Sequence, residues 1–330
     1  MTTIKDIAQR ANVSTAVVSY VINNGPRAVA PETEARVREA MKVLDYHPNA
    51  RAQQFARQRS DCIGLIFNGL SETSFNGMYF SEYSRGILTY LEQVGYNVML
   101  FLNRGPDFYK RVGRMSLVDG VILAGSALPS TGLAQLANSG FPAVVVGQRI
   151  PGFACVVQDD EGSAFAATSF LLAQGYRRIG LLGQALTLSY GQDRMDGYRR
   201  ALAEANLEFD PGLVSVPELP RDIPTMEEVE QLLNAGADAL LTDKEIRVID
   251  HLRHLNLRMP DHVALIGLDE DTPESRSLGV TTLLAPKFEI GVAAAEILCG
   301  LISKQREITT HRVIPMQLLV RESSPRKERR

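Results

Sequence analysis

Short apolar runs alternate with helical patterns along most of this chain, and this alternation restricts its fold more than any other feature. The first run, CIGLIFN, covers residues 62–68, and a helical pattern with one apolar side follows over residues 81–94. The runs YNVMLFL, GVILAG and PAVVVG continue the alternation up to residue 147. Strands that alternate with helices form a parallel sheet covered by helices on both faces. We therefore expect an α/β fold.

The same order of elements occurs a second time. A helical pattern over residues 161–174 ends at a Gly-Tyr pair and precedes the run IGLLG, as the first helix also ends at Gly-Tyr before a strand. Three more helical patterns follow, over residues 192–205, 226–234 and 245–255. Two similar doubly wound lobes explain this repeat. The last helix, residues 288–304, and the strands around Val313 and Leu318 suit a chain that crosses between lobes.

The first residues of the chain have the pattern of two short helices joined by a tight turn. Thr3 is placed to cap the first helix with Asp6 at the capping-box position, and Ser14 is placed to cap the second. In the second helix we expect four residues to point inward, namely Val17, Val18, Val21 and Ile22. Its outward residues are small or hydrogen-bonding, namely Thr15, Ala16, Ser19, Tyr20 and Asn23. Such a face suits a helix in the DNA major groove, although two capped helices also occur in many small helical domains.

Pro31 begins a third helical pattern that closes a three-helix core, and Pro48 stops it. Residues 50–59 come next, and three of their four apolar residues share one face among arginines: Ala52, Phe55 and Ala56. A large apolar residue among arginines suits a wedge in the DNA minor groove. The alternative is a solvated linker with Phe55 packed on the body, and the spacing alone favours the linker.

The charge is unevenly distributed along the chain. Residues 1–60 hold nine Lys/Arg and five Asp/Glu, a net charge of +4, so the remaining residues sum to −7 because the whole chain carries −3. A basic head on an acidic body suits a head that contacts phosphate. The three cysteines are widely spaced and odd in number, which predicts a reducing compartment rather than a disulfide framework. With no signal segment and no apolar run long enough to cross a bilayer, we expect a cytoplasmic protein without a membrane partner.

Residues 1–60 resemble the DNA-binding head of the LacI/GalR family of bacterial transcriptional regulators. The resemblance rests on TIKDIAQRANVS, VSYVIN, APETEARV, the YHPN turn and the alanine-rich segment after it. It implies base-reading roles for Thr15, Ala16 and Tyr20, and phosphate contacts by Ser14, Ser19, Asn23 and Tyr46. It also implies that Phe55 enters the minor groove at the centre of a pseudo-palindromic operator. Tyr20 stands where arginine is commonest and Phe55 where leucine is usual, so the operator sequence and the DNA bend do not carry over.

In open α/β sheets, ligands bind beyond the carboxyl ends of the strands. The candidates there are Tyr79, Phe80, the segment Gly147-Gln148-Arg149, Arg194, Thr242-Asp243 and the residues 269–271. Aromatic rings with converging Arg and Asp side chains suit a sugar cleft, since rings stack on a pyranose and charged groups bind hydroxyl pairs. The alternatives are solvated Asp-rich turns and a surface pairing of Arg194 with Asp196 or Glu161.

The body resembles the effector domain of the same family, which is similar to periplasmic sugar-binding proteins. RMDGYRRAL matches a segment whose arginine contacts the effector, which implies that role for Arg194. The resemblance also implies effector contacts at four other residues. These are Asp269 in IGLDEDTPESRSLGVTTL, Tyr79 and Phe80 in YFSEYSRGI, and Asp243 in ALLTDKE. Thr242 and Gly147 stand where the family commonly has Asn and Asp, so the ligand is the property that transfers least. Arg149 completes the predicted effector-binding set.

The predicted organisation is a helix-turn-helix DNA-binding domain, residues 1–48, a hinge helix, residues 49–60, and an effector-binding and dimerisation domain, residues 61–330. Within the body we expect two lobes of doubly wound parallel sheets, like a periplasmic binding protein. Lobe 1 comprises about 61–158 and 286–315, and lobe 2 about 159–285 and 316–322, followed by a tail at 323–330. The resemblance implies chain crossings near Asp159, Ala285 and Pro315.

These features predict a homodimeric transcriptional repressor whose operator affinity is controlled by a sugar bound between the lobes. A purine- or sugar-phosphate-dependent co-repressor, a sugar-binding transport protein and a sugar enzyme are the alternatives. The lack of a G-x-S-x-G, Walker A or G-x-G-x-x-G motif argues against an enzyme. His251 and His254 lack further ligands at metal-site spacing, so we expect neither a metal nor a cofactor.

Overall fold

The computed structural model describes ten stretches of the chain. These are residues 2–23, 28–47, 59–67, 78–102, 108–114, 117–125, 130–218, 225–268, 272–305 and 309–325. The chain divides into two compact units. The first unit is Met1–Cys62 with Ser116–Asp119, and the second is Ile63–Met115 with Gly120–Arg330.

The first unit contains the three predicted head helices, α1 (Ile4–Ala11), α2 (Thr15–Asn23) and α3 (Pro31–Val43). The backbone N–H and the hydroxyl of Thr3 each donate to the Asp6 carboxylate at 2.8 Å. These hydrogen bonds lower the pKa of Asp6. The Ser14 hydroxyl accepts from the N–H of Val17 at 3.3 Å, so both predicted helix starts carry a side-chain hydrogen bond. Asn12 adopts a left-handed φ of 54° and ends α1.

A small apolar core joins the three head helices. It consists of Ile7, Ala8, Ala11, Val18, Val21, Val37 and Ala40. Two of the four α2 residues that were expected to point inward, Val17 and Ile22, are only half-buried. The reason is geometric, because a helix this short rests only a narrow stripe of side chains on its neighbours.

The second unit holds two six-stranded sheets. The first sheet consists of β1 (Cys62–Phe67), β2 (Asn97–Leu102), β3 (Gly120–Ala124), β4 (Ala143–Val146), β5 (Ala154–Gln158) and β11 (His311–Ile314), in the spatial order β11-β5-β4-β3-β1-β2. The second consists of β6 (Ile179–Leu182), β7 (Val214–Ser215), β8 (Ala239–Thr242), β9 (Ala264–Gly267), β10 (Thr281–Leu284) and β12 (Gln317–Leu319), in the order β12-β10-β9-β8-β6-β7. Among the pairings described, only β10 with β12 is antiparallel.

Helices alternate with these strands, which confirms the predicted α/β class. They are α4 (Met78–Gln93), α5 (Phe108–Val112), α6 (Ser130–Asn138), α7 (Asp160–Ala173), α8 (Ser189–Glu204), α9 (Met226–Asn234), α10 (Glu245–His254), α11 (Pro273–Ser277) and α12 (Lys287–Ile302), with a 3-10 turn at Pro211–Leu213. Helix α8 begins earlier than the pattern predicted, at Ser189 rather than Gln192. Its first residues are polar or small, so no apolar period marks them in the sequence.

The chain crosses between the two sheets after β5, after β10 and after β11. After β10, α12 packs on the first sheet, because its buried Ile290, Ala294 and Leu298 share a core with Tyr83 and Val144. We call the first sheet with its helices lobe 1, which includes α12, and the second sheet with its helices lobe 2. Each lobe is thus assembled from segments that are distant in the sequence.

Glycines let one pair of helices approach closely in each lobe. A methyl group on Gly86 of α4 would lie 2.1 Å from the carbonyl oxygen of Phe288 at the start of α12. A methyl group on Gly197 of α8 would lie 2.1 Å from the carbonyl oxygen of Glu161 on α7. Both positions therefore require glycine because the obstacle is backbone rather than a movable side chain.

We expect Gly197→Ala to lower the free energy of unfolding of the second unit. Alanine favours a helix by about 1 kcal/mol over glycine, but overpacking a close helix contact costs roughly 1–3 kcal/mol, and a clash with backbone leaves little room for adjustment. Urea denaturation followed by circular dichroism measures the change. The control is Gly113→Ala, since the nearest atom to an added methyl there is 3.5 Å away. A variant more stable than the wild type would contradict the close contact.

Candidate functional site

Polar side chains from both lobes meet beyond the carboxyl ends of the strands. Gln148 and Arg149 follow β4 of lobe 1, and Gln184 and Asp243 follow β6 and β8 of lobe 2. We call the whole group the interlobe cluster, and it consists of Gln148, Arg149, Gln158, Asp160, Gln184, Ser189, Asp193, Arg194 and Asp243. The position agrees with the rule that open α/β sheets bind ligands at this edge.

Arg194 lies at the centre of the interlobe cluster with a side chain only 3% exposed. Its Nε donates to Asp160 Oδ1 at 2.8 Å, and its Nη1 lies 3.5 Å from Asp243 Oδ2. Gln158 Nε2 donates to Asp160 at 3.2 Å, and Gln184 Nε2 donates to Asp243 at 2.5 Å. A buried arginine between two carboxylates that are themselves hydrogen-bonded has the paired and hydrogen-bonded surroundings that a buried charge requires.

Helix α8 brings Arg194 to this position because of two glycines. A methyl group on Gly191 would lie 2.5 Å from the carbonyl oxygen of Ala185, so the start of the helix lies against the preceding loop. Gly197 lets the helix approach α7 at Glu161, one residue after Asp160. The spacing of Arg194 and Gly197 in RMDGYRRAL therefore has a structural reason, since close helix contact places the guanidinium against Asp160.

Arg149 connects the two lobes. Its backbone N–H donates to Ser189 Oγ at 3.0 Å, and its guanidinium pairs with Asp193 on α8. The hydrogen bond that Arg149 donates to Asp193 raises the pKa of Arg149. The guanidinium is partly exposed, so this pair is more open to water than the Arg194 group.

The sequence-based alternative of a surface role for Arg194 is wrong. Asp196 accepts from Gln192 at 3.0 Å, and Glu161 pairs with Arg200, so both proposed surface partners are engaged elsewhere. The structure pairs Arg194 with Asp243, and it pairs Arg149 with Asp193, the residue before Arg194. The effector-binding roles of Arg149, Arg194 and Asp243 stay predictions.

Other predicted site residues are placed only in part. Tyr79 and Phe80 lie in the first turn of α4, where the structure describes their backbone but not their side chains. Asp269 and Phe55 lie outside the described residues.

Several members of the interlobe cluster were missed by the sequence analysis. Gln184 and Asp160 each follow a strand closely, so the same rule that selected Arg149 applies to them. Ser189 and Asp193 are harder to find from the sequence, because neither follows a strand directly. They belong to the cluster because both contact Arg149 of lobe 1.

The α2 helix of the first unit presents the polar face that the sequence predicted. Thr15 and Ala16 are exposed, and Tyr20 is half-exposed. Asn23 Nδ2 donates to Ser19 Oγ at 3.2 Å, so these two side chains form a pair along the helix. Ser14 caps α2, and the Tyr46 side chain packs against the head core. The exposed groups match the hydrogen-bonding and methyl contacts that base edges offer.

In the described parts of the chain, no three His, Cys, Asp or Glu side chains are grouped in a way that would hold a metal ion. Among the helices described, none has the length and apolar character needed to cross a membrane.

Comparisons with known families and proteins extend over both units. The family described as bacterial regulatory proteins, lacI family, matches residues 3–49, and the family described as periplasmic binding protein-like domain matches residues 168–324. The chain is 30% identical over 318 residues to the HTH-type transcriptional regulator GalR of Escherichia coli (strain K12), covering 91% of this chain and 89% of that protein.

Two further similarities agree with this result. The chain is 31% identical over 311 residues to the HTH-type transcriptional repressor PurR of Aliivibrio salmonicida (strain LFI1238), covering 90% of this chain and 91% of that protein. Among solved structures, a transcriptional regulator CelR–cellobiose complex is similar with a TM-score of 0.71 and 27% identity, over 98% of this chain and 100% of that chain. The likeness therefore includes the head and both lobes together.

We expect Arg194→Met to lower the free energy of unfolding of the second unit by about 3–5 kcal/mol, because it removes the guanidinium that lies between the buried carboxylates of Asp160 and Asp243. Urea denaturation at neutral pH measures the loss. The control is Arg253→Met, which removes an exposed ion pair with Asp250 and costs under about 1 kcal/mol. Equal losses in the two variants would contradict the buried cluster, and an added Asp160→Asn change should recover part of the stability.

Proposed function

This chain belongs to the lacI family of bacterial regulatory proteins, and from that premise we propose that it represses transcription as an effector-controlled, DNA-binding homodimer. The observation that carries the proposal is the presence, in one chain, of a helix-turn-helix with an exposed polar face and a two-lobed body with a polar cluster between its lobes. The effector we propose is a sugar. Such a regulator works where the bacterial chromosome lies, in the cytoplasm.

The head is proposed to read DNA through α2. Thr15, Ala16 and Tyr20 present a hydroxyl, a methyl group and a phenol to the major groove, where each base pair offers a distinct set of donors and acceptors. Phosphate contacts are assigned to Ser14, Ser19, Asn23 and Tyr46, because phosphate oxygens accept from hydroxyl and amide donors. Phe55 is proposed as the wedge that enters the minor groove between two half-sites.

Tyr20 gives this head its own sequence preference. Arginine binds guanine with two parallel hydrogen bonds, whereas a tyrosine offers one hydroxyl and an apolar ring. We therefore infer a preference at that base position different from that of relatives that carry arginine there.

The interlobe cluster is proposed to bind the effector. Asp243 and Arg194 are held by fixed partners, so the charged groups at this site have defined positions, as recognition of hydroxyl pairs requires. Tyr79 and Phe80 are proposed to stack on the sugar ring, and Asp269 to accept from a hydroxyl. The complex of CelR with cellobiose supports a sugar, since that similar protein binds one.

Control of DNA binding follows from the two lobes. A ligand shifts an equilibrium only as far as it binds one arrangement better than another, and such coupling is typically about 1–3 kcal/mol. The contacts of Arg149 with Ser189 and Asp193 join lobe 1 to lobe 2, so they depend on how the lobes are arranged. In a symmetric dimer, a change in the arrangement of the lobes occurs in both protomers, so it affects two heads that bind two half-sites.

The proposed domains are a DNA-binding head, residues 1–48, a hinge, residues 49–60, and an effector-binding and dimerisation body that follows. A second candidate keeps this organisation but uses a purine or a sugar phosphate that strengthens DNA binding. This second candidate is retained because the chain is about as similar to the repressor PurR, at 31% identity, as to the regulator GalR, at 30%.

Operator binding is tested by fluorescence anisotropy with duplexes that the wild-type protein selects from a random-sequence pool. We expect Tyr20→Ala to weaken binding to the selected duplex by about 1–3 kcal/mol, and to relax the preference at one base position in each half-site. Tyr20→Phe keeps the ring and removes only the hydroxyl, so it separates the two contributions. Selection of no common sequence by the wild-type protein would overturn the proposed DNA-binding function.

Effector binding is tested by calorimetry with cellobiose, galactose, glucose 6-phosphate and hypoxanthine. We expect a neutral sugar to bind, and Asp243→Asn to weaken that binding by about tenfold or more, since a charged hydrogen bond worth roughly 1.5–3 kcal/mol is lost. Asp250→Asn, an exposed carboxylate on α10, is the matched control. Binding of hypoxanthine alone, with tighter DNA binding in its presence, would favour the co-repressor instead.

A further inference from the structure

The carboxylate of Asp119 binds the end of the segment that leaves the DNA-binding head. Its Oδ1 accepts from the N–H of Ser60 at 2.7 Å and from the Ser60 hydroxyl at 2.9 Å. Its Oδ2 accepts from the N–H of Asp61 at 3.0 Å, and the N–H of Asp119 donates to the carbonyl oxygen of Cys62 at 2.8 Å. We call this group, Ser60, Asp61, Cys62 and Asp119, the Asp119 clamp.

The clamp holds an unfavourable backbone conformation. Asp61 has a φ of 49°, in the left-handed region that residues other than glycine rarely adopt. Such a conformation persists where the surroundings fix it, and here both N–H groups around the turn are bound to one carboxylate. The direction in which the chain leaves the turn is therefore imposed by Asp119.

The clamp contains residues at which the chain passes from one compact unit to the other. The chain passes from the first unit to the second after Cys62 and again after Asp119, and it returns between Met115 and Ser116, so two of the three connections begin at these residues. Beyond the clamp, Ile63 of β1 pairs with Gly120 of β3 in the first sheet. The clamp thus lies at the amino ends of two neighbouring parallel strands. The interlobe cluster lies beyond the carboxyl ends of the strands of the same sheet.

We propose that Asp119 is a positioning residue that fixes the backbone of Ser60 and Asp61, so that the hinge before them begins from a defined point when DNA binds. This inference rests on the proposed DNA-binding function. Asp119 acts through the backbone of Ser60 and Asp61. Without the carboxylate, these residues keep more conformational freedom in the unbound protein, and that freedom is lost on binding.

The test compares full-length variants on a duplex selected by the wild-type protein. We expect Asp119→Asn to weaken DNA binding about tenfold, which corresponds to about 1.4 kcal/mol, because an amide cannot accept at both of its terminal atoms. Ser60→Ala, which removes one donor, should weaken binding less. Asp61→Gly adopts the same turn without strain and should bind like the wild type. Asp250→Asn is the control for loss of an exposed carboxylate.

Two further measurements distinguish positioning from a merely structural role. Hydrogen exchange should become faster at the amides of Ser60 and Asp61 in Asp119→Asn, while the thermal midpoint of the second unit stays that of the wild type. A lower thermal midpoint with unchanged DNA affinity would overturn the inference, as would wild-type affinity together with wild-type exchange. If Asp119→Asn does not fold, Ser60→Ala decides, and wild-type affinity in that variant would overturn it.

The proposed function and the clamp fail in different ways. If the wild-type protein binds no DNA, the proposed function is wrong, and unchanged exchange at Ser60 and Asp61 in Asp119→Asn would then also reject the clamp. If the wild-type protein binds DNA and the Asp119→Asn variant binds it equally well, only the positioning role is rejected.

Discussion

The buried pairing of Arg194 with Asp160 and Asp243 is the interaction on which the body of this protein depends. A guanidinium and two carboxylates remain charged away from water only if each is bound on several sides, and here two glutamines supply further hydrogen bonds. The group joins the start of α7, the middle of α8 and the end of β8 at one place. The polar ligand that we propose for this place would therefore meet side chains whose positions are already fixed.

The two ends of the strands in lobe 1 lead to different groups of residues. Their carboxyl ends lead to Arg149, which reaches lobe 2, whereas the amino ends of β1 and β3 lead to the Asp119 clamp. A sheet transmits a shift at one end because its strands are closely packed and hydrogen-bonded along their length. In the function that we propose, a change between the lobes acts on the start of the hinge through this sheet.

Much of the fold could be predicted because short-range periodicity reports burial. The apolar runs are buried strands, and Thr3 with Asp6 and Ser14 with Val17 make the hydrogen bonds expected at helix starts. Site prediction was less complete. Arg149, Arg194 and Asp243 are predicted from their places in the chain and from family resemblance, and their roles stay predictions. Asp160 and Asp193 were missed because the importance of each depends on which arginine it pairs with.

The sequence alone determined the head, the alternation of strands and helices, and the family, because these depend on neighbours in the chain and on residue order. Only the tertiary structure decided which charges pair. Arg194 had acidic candidates nearby in the sequence, yet it pairs with residues far along the chain, since the glycine contact of α8 with α7 places it there. Likewise, nothing in the order of residues links Asp119 to Ser60. The pairing of β1 with β3 brings the two residues together.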